Sequence, residues 1–261
     1  MQILSGKRRR RIVAAWLLLA MGGPVLAQAD PKPKPVLVAA AASMQSALTE
    51  LVPMFERTQN VRITLTLGSS ATLVRQIQQG LLAELFLSAD EDLVFRLADA
   101  GLTLDRGAVY ATGRLVLLVP AASRLALDPG LKGLKAGLTD VRKFAIANPE
   151  LAPYGKAAVQ ALQKEFLWPA LQGRLVLGDN IAQTTQFVST GAAEAGITAL
   201  SLALAPEVAA RTRYVLISDA LHAPIRQRMV LLKNASAGAR AFHDFLQSPA
   251  AKAVLLRYGF R

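Results

Sequence analysis

The 261-residue sequence contains no cysteine, so disulfide bridges and thiolate metal sites are excluded. Histidine occurs only twice, at His222 and His243, and neither has a second residue at the spacing of a metal-binding or catalytic pair. The sequence also lacks a Gly-x-Ser-x-Gly elbow, a His-Glu-x-x-His pair and a P-loop lysine motif. Because a serine without a paired histidine has no base to activate it, we do not expect an enzyme.

Aromatic residues are also scarce, at 6% of the chain, and the 18 acidic residues are outnumbered by 30 basic ones, for a formal charge of +12. A strongly basic chain raises the possibility of a nucleic-acid partner. Beyond the N-terminus, however, the basic residues are scattered singly between acidic ones. No basic run interleaved with aromatic residues is present, as a base-stacking surface would require. We therefore expect no nucleic-acid binding.

The N-terminus has the order of segments that is typical of a secretory signal peptide. Five basic residues at 7–11 precede an apolar run at 12–21, and small residues lead up to Ala27 and Ala29. A membrane anchor is the alternative, but the run is shorter than the ~20 residues that span a bilayer, and a Gly-Gly-Pro sequence follows it. We expect residues 1–29 to be removed by cleavage after Ala27 or Ala29. The mature protein would then reside in the periplasm.

Residues 30–35 alternate proline with aspartate or lysine, which predicts an extended linker. Beyond it, apolar strand-like runs alternate with segments of helical periodicity. The strands are predicted at residues 36–40, 62–67, 85–87, 115–119, 144–147, 175–177, 195–198 and 229–232. The helices are predicted around residues 44–55, 70–80, 90–101, 154–166, 180–190, 239–246 and 249–258. This alternation predicts an α/β fold of mostly parallel sheets flanked by helices.

Four of the predicted strand-to-helix turns carry polar residues or glycine. They lie at residues 42–44, 68–70, 148–155 and 178–181. The start of a helix attracts anions, because its first amides are unpaired and its dipole is positive there. Each turn taken alone is explained by helix capping. Together, two in each half of the chain and all at the carboxyl ends of strands, they predict a ligand cleft.

These segments resemble the periplasmic molybdate-binding proteins of ABC importers, in the type II periplasmic solute-binding family. The resemblance extends in consistent order over residues 36–260. The matching segments are Val-Ala-Ala-Ala-Ala-Ser at 38–43, Gly-Ser-Ser-Ala-Thr-Leu-Val-Arg-Gln-Ile at 68–77, Leu-Phe-Leu-Ser-Ala-Asp at 85–90, Ile-Ala-Asn-Pro at 146–149, Ala-Pro-Tyr-Gly at 152–155, Ala-Gly-Ile at 195–197 and Arg-Tyr-Gly-Phe at 257–260.

The resemblance implies two α/β lobes joined by two crossing segments, near residues 115–120 and 225–233. The first lobe would be discontinuous, comprising residues 36–115 and 228–261, and the second would comprise residues 116–227 with the crossing segments. It further implies a monomeric binding protein that captures molybdate or tungstate between the lobes. The partner would be the membrane subunits of an ABC permease, and no cofactor other than this ligand is expected.

The resemblance assigns the oxyanion, and the metal within it, to four residues. Ser43 and Ser70 would each give a hydroxyl and a backbone amide, and Tyr154 and Ile181 would give backbone amides. Some relatives place a further tyrosine after the Gly-Ile strand, at the position that Ala199 occupies here. That donor is missing, and the tyrosine in the Pro-Tyr-Gly turn places the chain nearer to a second subgroup.

Several alternatives remain open at this stage. The ligand could be another tetrahedral oxyanion, such as sulfate or phosphate, or the chain could be an exported anion-dependent hydrolase or transferase. An iron site of the kind built from adjacent tyrosines is disfavoured, because no two of the four tyrosines (Tyr110, Tyr154, Tyr214 and Tyr258) are neighbours in sequence. Residues 90–92 are better explained as an acidic helix start than as a metal site. We interpret Arg75, the nearest possible counter-ion, as a surface residue.

Overall fold

The computed structural model describes residues 34–261 of the chain. The predicted signal peptide and most of the predicted linker lie outside the described residues. No helix within residues 34–261 combines the length and the apolar character needed to cross a membrane.

The described chain alternates strands with helices along most of its length. The strands are β1 (Val36–Ala41), β2 (Ile63–Gly68), β3 (Leu85–Ser88), β4 (Ala108–Gly113), β5 (Leu115–Pro120), β6 (Phe144–Ala147), β7 (Leu175–Gly178), β8 (Ala195–Ala199), β9 (Thr212–Leu216) and β10 (Ile225–Leu231). The helices are α1 (Gln45–Thr58), α2 (Ser70–Gln78), α3 (Glu91–Asp99), α4 (Lys132–Ala136), α5 (Pro153–Lys164), α6 (Trp168–Leu171), α7 (Ile181–Ser189), α8 (Leu200–Ala203), α9 (Pro206–Ala209), α10 (Ala237–Leu246) and α11 (Pro249–Arg257).

The strands form two five-stranded sheets, in the orders β2-β1-β3-β10-β4 and β7-β6-β8-β5-β9. In the first sheet β1 is parallel to β2 and β3, whereas β10 is antiparallel to both of its neighbours. The second sheet repeats the pattern, with β5 as the antiparallel strand. The predicted two-lobed α/β fold is therefore confirmed. The first lobe comprises the first sheet with its helices, and the second lobe comprises the second sheet with its helices.

The chain passes between the sheets twice, once from β4 to β5 and once from β9 to β10. Both predicted crossing segments coincide with an antiparallel strand, β5 at residues 115–120 and β10 from residue 225. The parallel strands of each sheet are joined by helices, as in βαβ units. The strand that enters each sheet from the other lobe runs antiparallel to its neighbours. The crossings therefore leave one reversed strand in each sheet.

Burial of apolar side chains stabilises each lobe and also the contact between them. In the first lobe the ring of Phe55 packs against Phe242 and Phe245, with centroid distances of 5.0 and 5.5 Å. A second cluster centres on β5, β6 and α5 of the second lobe, yet it includes Ala42 and Ala89 of the first lobe. The two lobes thus share apolar contacts at the strand ends where the turns lie.

Candidate functional site

The four predicted turns all lie at the carboxyl ends of strands. β1 runs into a 3₁₀ turn at Ala42–Met44 and then into α1, and β2 runs directly into α2 at Ser70. In the second lobe β6 leads through residues 148–152 into α5, and β7 leads into α7 at Ile181. Two helix starts from each lobe therefore face the region between the sheets, which is where ligands bind in open α/β folds.

The start of α5 is positioned by its own loop. The Asn148 side chain accepts a hydrogen bond from the amide of Glu150 at 3.0 Å, and the Asn148 carbonyl accepts one from the amide of Ala152 at 2.9 Å. A Cβ at Gly155 would lie 2.1 Å from the Ala147 carbonyl oxygen. Glycine at this position therefore lets α5 begin close against the end of β6 and sets the place of Tyr154.

All four predicted site residues are buried. Ser43 and Ser70 are 0% exposed, Tyr154 is 2% exposed and Ile181 is 4% exposed. Direct contacts join their elements across the lobes: the amide of Ala71 donates to the carbonyl of Leu151 at 3.2 Å. Tyr154 and Ile181 also share an apolar cluster with the residues that precede Ser43, and α7 packs against the Ala42–Met44 turn. The structure thus brings the four helix starts together at the interface between the lobes.

Three of the four helices that begin at this interface have no side-chain cap. Among the helices of nine or more residues in the described part of the chain, α3, α7, α10 and α11 have a side-chain cap, whereas α1, α2 and α5 have none. The three uncapped helices are those that follow the Ser43, Ser70 and Tyr154 turns. In α7 the cap Asn180 accepts from the amides of Ala182 and Gln183, so the amide of Ile181 is not capped. Uncapped first-turn amides and aligned dipoles favour an anion at this point.

The two serine hydroxyls have different surroundings. Ser70 Oγ accepts a hydrogen bond from the amide of Ala89 at 3.0 Å, and a hydroxyl that accepts one bond can still donate its own hydrogen. The Ser43 hydroxyl lies beside the Tyr154 phenol, whose pKa is raised by burial although the neighbouring Ser43 and Gln227 act to lower it. Within residues 34–261, however, no atom meets hydrogen-bond geometry with Ser43 Oγ. A buried hydroxyl without a partner is destabilising, and an anion that accepted its hydrogen would remove this penalty.

The phenol of Tyr154 is hydrogen-bonded to a buried amide of the first lobe. It accepts a hydrogen bond from Gln227 Nε2 at 2.9 Å, and Gln227 Oε1 accepts one from the hydroxyl of Tyr110 at 2.8 Å. Burial raises the pKa values of Tyr154 and Tyr110, so both phenols stay protonated at neutral pH. These neutral, mutually bridged phenols do not provide the phenolates of an iron site.

The other residues singled out in the sequence have local roles. Asp90 caps α3 by accepting from the amide of Asp92 at 3.0 Å, and Glu91 pairs with Arg226 at 2.7 Å and Arg228 at 3.1 Å. In residues 34–261 no three His, Cys, Asp or Glu side chains are grouped so as to hold a metal ion.

The two histidines and Arg75 make local contacts in the described part of the chain. His222 Nδ1 lies 2.8 Å from the Ala223 carbonyl, and His243 lies 3.0 Å from Asp244. Arg75 is exposed and contacts Thr72. Ala199 ends β8 and is fully buried.

Comparison with known proteins identifies the family. The family model for bacterial extracellular solute-binding proteins matches residues 36–261. The chain is 33% identical to the molybdate-binding protein ModA of Rhodobacter capsulatus over 253 residues, which cover 96% of each chain. It is 34% identical to ModA of Azotobacter vinelandii over 250 residues, covering 94% of this chain and 96% of that protein.

Solved structures agree with the sequence comparison. The periplasmic molybdate-binding protein of Azotobacter vinelandii superimposes with a TM-score of 0.79 at 29% identity, covering 87% of this chain and 98% of that one. The sulfate-binding protein SubI of Mycobacterium tuberculosis superimposes with a TM-score of 0.73 at 17% identity, which shows a shared fold alone. The chain therefore belongs to the bacterial extracellular solute-binding proteins, and it is a binding protein rather than an enzyme.

Proposed function

We propose that this protein captures molybdate or tungstate between its two lobes and delivers the anion to the membrane subunits of an ABC importer. The observation that carries the proposal is the convergence of four buried helix starts from the two lobes, three of them in helices without a side-chain cap. The similarity to molybdate-binding proteins over almost the whole chain supports the choice of anion.

The proposed site binds the oxyanion through Ser43, Ser70, Tyr154 and Ile181. The two serines donate hydroxyl and amide hydrogens from the first lobe, and Tyr154 and Ile181 donate backbone amides from the second. None of these four side chains carries a charge, so hydrogen bonds and helix dipoles stabilise the dianion in place of an ion pair. Backbone donation explains how the apolar Ile181 can occupy a ligand position.

The proposed cellular setting follows from the N-terminal pattern and the family. Residues 1–29 act as a signal peptide, and the mature monomer works in the periplasm. N-terminal sequencing of the protein from the envelope fraction tests this, with a first residue of Gln28 or Asp30 expected. An intact Met1 would contradict it. The lobe limits, residues 36–115 with 228–261 and residues 116–227, stay a prediction.

Two other functions are less well supported. Sulfate or phosphate binding uses the same kind of donors, but the sulfate-binding relative shares only the fold. An anion-dependent hydrolase would need a base beside Ser43 or Ser70, and Ser70 Oγ contacts a backbone amide.

Titration calorimetry of the purified protein with sodium molybdate tests the proposal. We expect saturable binding of one anion per chain. Absence of binding to molybdate and tungstate, in a protein that unfolds cooperatively, would refute it.

A further inference from the structure

Gln227 is a fully buried polar side chain whose amide is hydrogen-bonded at both ends. It lies on β10 and accepts from Tyr110 on β4, both in the first lobe. It also donates to Tyr154, which lies in the first turn of α5 in the second lobe. One amide therefore links the lobes at a residue of the proposed anion site.

The backbone of the first sheet is irregular at this amide. Gln227 pairs with Ala111 and Arg228 pairs with Val109, so Tyr110 is the extra residue of a β-bulge. Bulges redirect side chains and occur often beside functional sites. This one brings Tyr110 and Gln227 within hydrogen-bond distance in the protein interior.

A glycine makes room for the same contact. A Cβ at Gly113 would lie 2.1 Å from the Tyr154 hydroxyl oxygen and 2.9 Å from Gln227 Nε2. Real Cβ atoms do not approach so closely, so a larger residue at the end of β4 would displace the phenol or the amide. The bulge and the glycine together allow the Tyr154 phenol to pack against the first lobe.

A second side-chain hydrogen bond joins the lobes, this time from a donor in the second lobe to an acceptor in the first. Ser201 lies in α8, which follows the second-lobe strand β8, and its hydroxyl donates to the carbonyl of Ser43 at 2.7 Å. Ser201 is 2% exposed. Ser43 is a proposed anion ligand of the first lobe, as Tyr154 is of the second. Each lobe thus supplies one side chain that bonds to a ligand residue of the other lobe.

We propose that Gln227 and Ser201 form a reciprocal interlobe clasp, in which each holds an anion-binding residue of the opposite lobe in position without touching the anion. The inference rests on the proposed function and adds two positioning residues to it. Through Tyr154 and Ser43 the clasp fixes the distance between donors of the two lobes. Its loss should therefore speed release of the anion and also lower the preference for molybdate over the smaller sulfate, because that preference depends on fixed spacing between the donors.

Stopped-flow measurement of molybdate dissociation tests the clasp. Gln227→Met removes both amide bonds at similar volume, Tyr154→Phe keeps the backbone amide of Tyr154, and Ser201→Ala removes the second link. Each should release molybdate roughly three- to tenfold faster, the effect of one hydrogen bond. Tyr214→Phe, at an exposed tyrosine on β9, is the matched control and should release it at the parental rate.

Two further comparisons separate positioning from a general loss of stability. The double variant Gln227→Met with Tyr154→Phe should release molybdate no faster than its faster single variant, because both changes remove the same bond. The ratio of molybdate to sulfate affinity should fall below that of the parent in the clasp variants and stay at the parental value in Tyr214→Phe. A strictly additive double variant, or a parental ratio in all clasp variants, would overturn the clasp.

Hydrogen–deuterium exchange gives a reading that does not depend on the ligand. In the anion-free protein the amides of residues 148–156 should exchange faster in Gln227→Met and in Tyr154→Phe than in Tyr214→Phe. If the parent binds no molybdate, the proposed function is wrong, and the clasp is then overturned if exchange in residues 148–156 is unchanged. If the parent binds molybdate but all three clasp variants release it at the parental rate, the clasp is overturned and the proposed function stands.

Discussion

At the scale of single residues, the two serines at the lobe interface differ in whether their hydroxyls have a hydrogen-bond partner. Ser70 Oγ already accepts a bond from the amide of Ala89, whereas Ser43 Oγ has no partner within residues 34–261. Removal of either hydroxyl should therefore weaken anion binding, but the two changes should differ in their effect on folding.

We expect Ser43→Ala and Ser70→Ala each to weaken molybdate binding by ~1.5–3 kcal/mol, the value of a hydrogen bond to a charged group, or about ten- to a hundredfold in affinity. Ser43→Ala should raise the free energy of unfolding or leave it unchanged, because it removes a buried hydroxyl without a partner, and Ser70→Ala should lower it by ~1 kcal/mol because the Ala89 amide loses its acceptor. Calorimetric titration and urea unfolding measure the two effects. Parental affinity in both variants would show that these serines are only structural.

The two buried phenols that Gln227 bridges should make the free energy of unfolding depend on pH. Burial raises the pKa values of Tyr110 and Tyr154 in the folded state, while in the unfolded chain tyrosine titrates near ~10. Above that pH the unfolded state loses protons that the folded state keeps, so the free energy of unfolding should fall as pH rises. Urea unfolding between pH 9 and ~11 should show a shallower fall in Tyr110→Phe than in the parent. An identical slope would mean that Tyr110 titrates normally.

The sequence predicted some of these residues and not others, for a physical reason. Strand-to-helix turns are local patterns, so the sequence could identify Ser43, Ser70, Tyr154 and Ile181. Their role as ligands stays a prediction. The sequence could not identify the role of Gln227, because this residue lies 117 residues from Tyr110 and 73 from Tyr154 along the chain. A pairing that depends on a bulge and on contact between lobes leaves no periodic signal in the sequence.

At the scale of helices and strands, three of the four helices that begin at the interface turns have no side-chain cap, whereas α7 is capped by Asn180. α10 and α11 pack on the first lobe away from the four turns, and each has a serine cap, Ser236 and Ser248. The helices that begin at the Ser43, Ser70 and Tyr154 turns have no side-chain cap. The uncapped starts are the less stable arrangement in the absence of an anion.

Ser236→Ala and Ser248→Ala should each lower the free energy of unfolding by about 1 kcal/mol, because each removes an N-cap. Molybdate affinity should stay at the parental value in both, since neither serine faces the interface. Urea unfolding and calorimetry on the same preparations compare the two. If these variants lost affinity to the same degree as Ser70→Ala, reduced stability rather than a lost ligand would explain the effect of Ser70.

The structure contains two strands that the sequence did not predict, β4 and β9. Both lie at the edge of their sheets. β9, with the sequence Thr-Arg-Tyr-Val-Leu, is exposed at Arg213 and Tyr214, so it lacks the apolar run by which the central strands are recognised. β10 begins at Ile225, four residues before the predicted start, because the exposed Arg226 interrupts the run. Central strands such as β1 and β6 are buried at every position except the partly buried Leu37, and they were predicted within a residue.

At the scale of the whole molecule, the contacts between lobes converge beside the chain crossings. Gly113 ends β4 at the first crossing and lies against the Tyr154 phenol, and its pairing partner Ile225 begins β10 at the second. On the surface, Lys156 of the second lobe pairs with Asp90 of the first at 3.8 Å, where solvent weakens the interaction. The buried polar contacts, rather than this ion pair, should dominate the coupling between lobes.

A methyl group at Gly113 should disturb that coupling. In Gly113→Ala the new Cβ meets the Tyr154 hydroxyl at 2.1 Å, and overpacking of this kind costs about 1–3 kcal/mol of stability. Molybdate affinity should fall as well, because Tyr154 moves. Gly173→Ala is the control, since a Cβ there has no atom within 4 Å. Urea unfolding and titration should separate the two variants, and equal behaviour would mean that the Gly113 contact relaxes freely.

The central claim is a dry cage of uncharged, fixed donors that recognises an anion by size. Tungstate is almost the same size as molybdate and should bind about as well. Sulfate carries the same charge but is smaller, so donors placed for long metal–oxygen bonds cannot all reach it. Each buried donor left unpaired costs ~1–3 kcal/mol, and two of them give a preference of at least about tenfold and up to several thousandfold.

Competition calorimetry on the molybdate-loaded protein tests this claim most directly, with tungstate, sulfate and phosphate as competitors. The account predicts that tungstate displaces molybdate at comparable concentration and that sulfate and phosphate require a large excess. Displacement of molybdate by sulfate at comparable concentration would contradict it and assign the protein to another oxyanion.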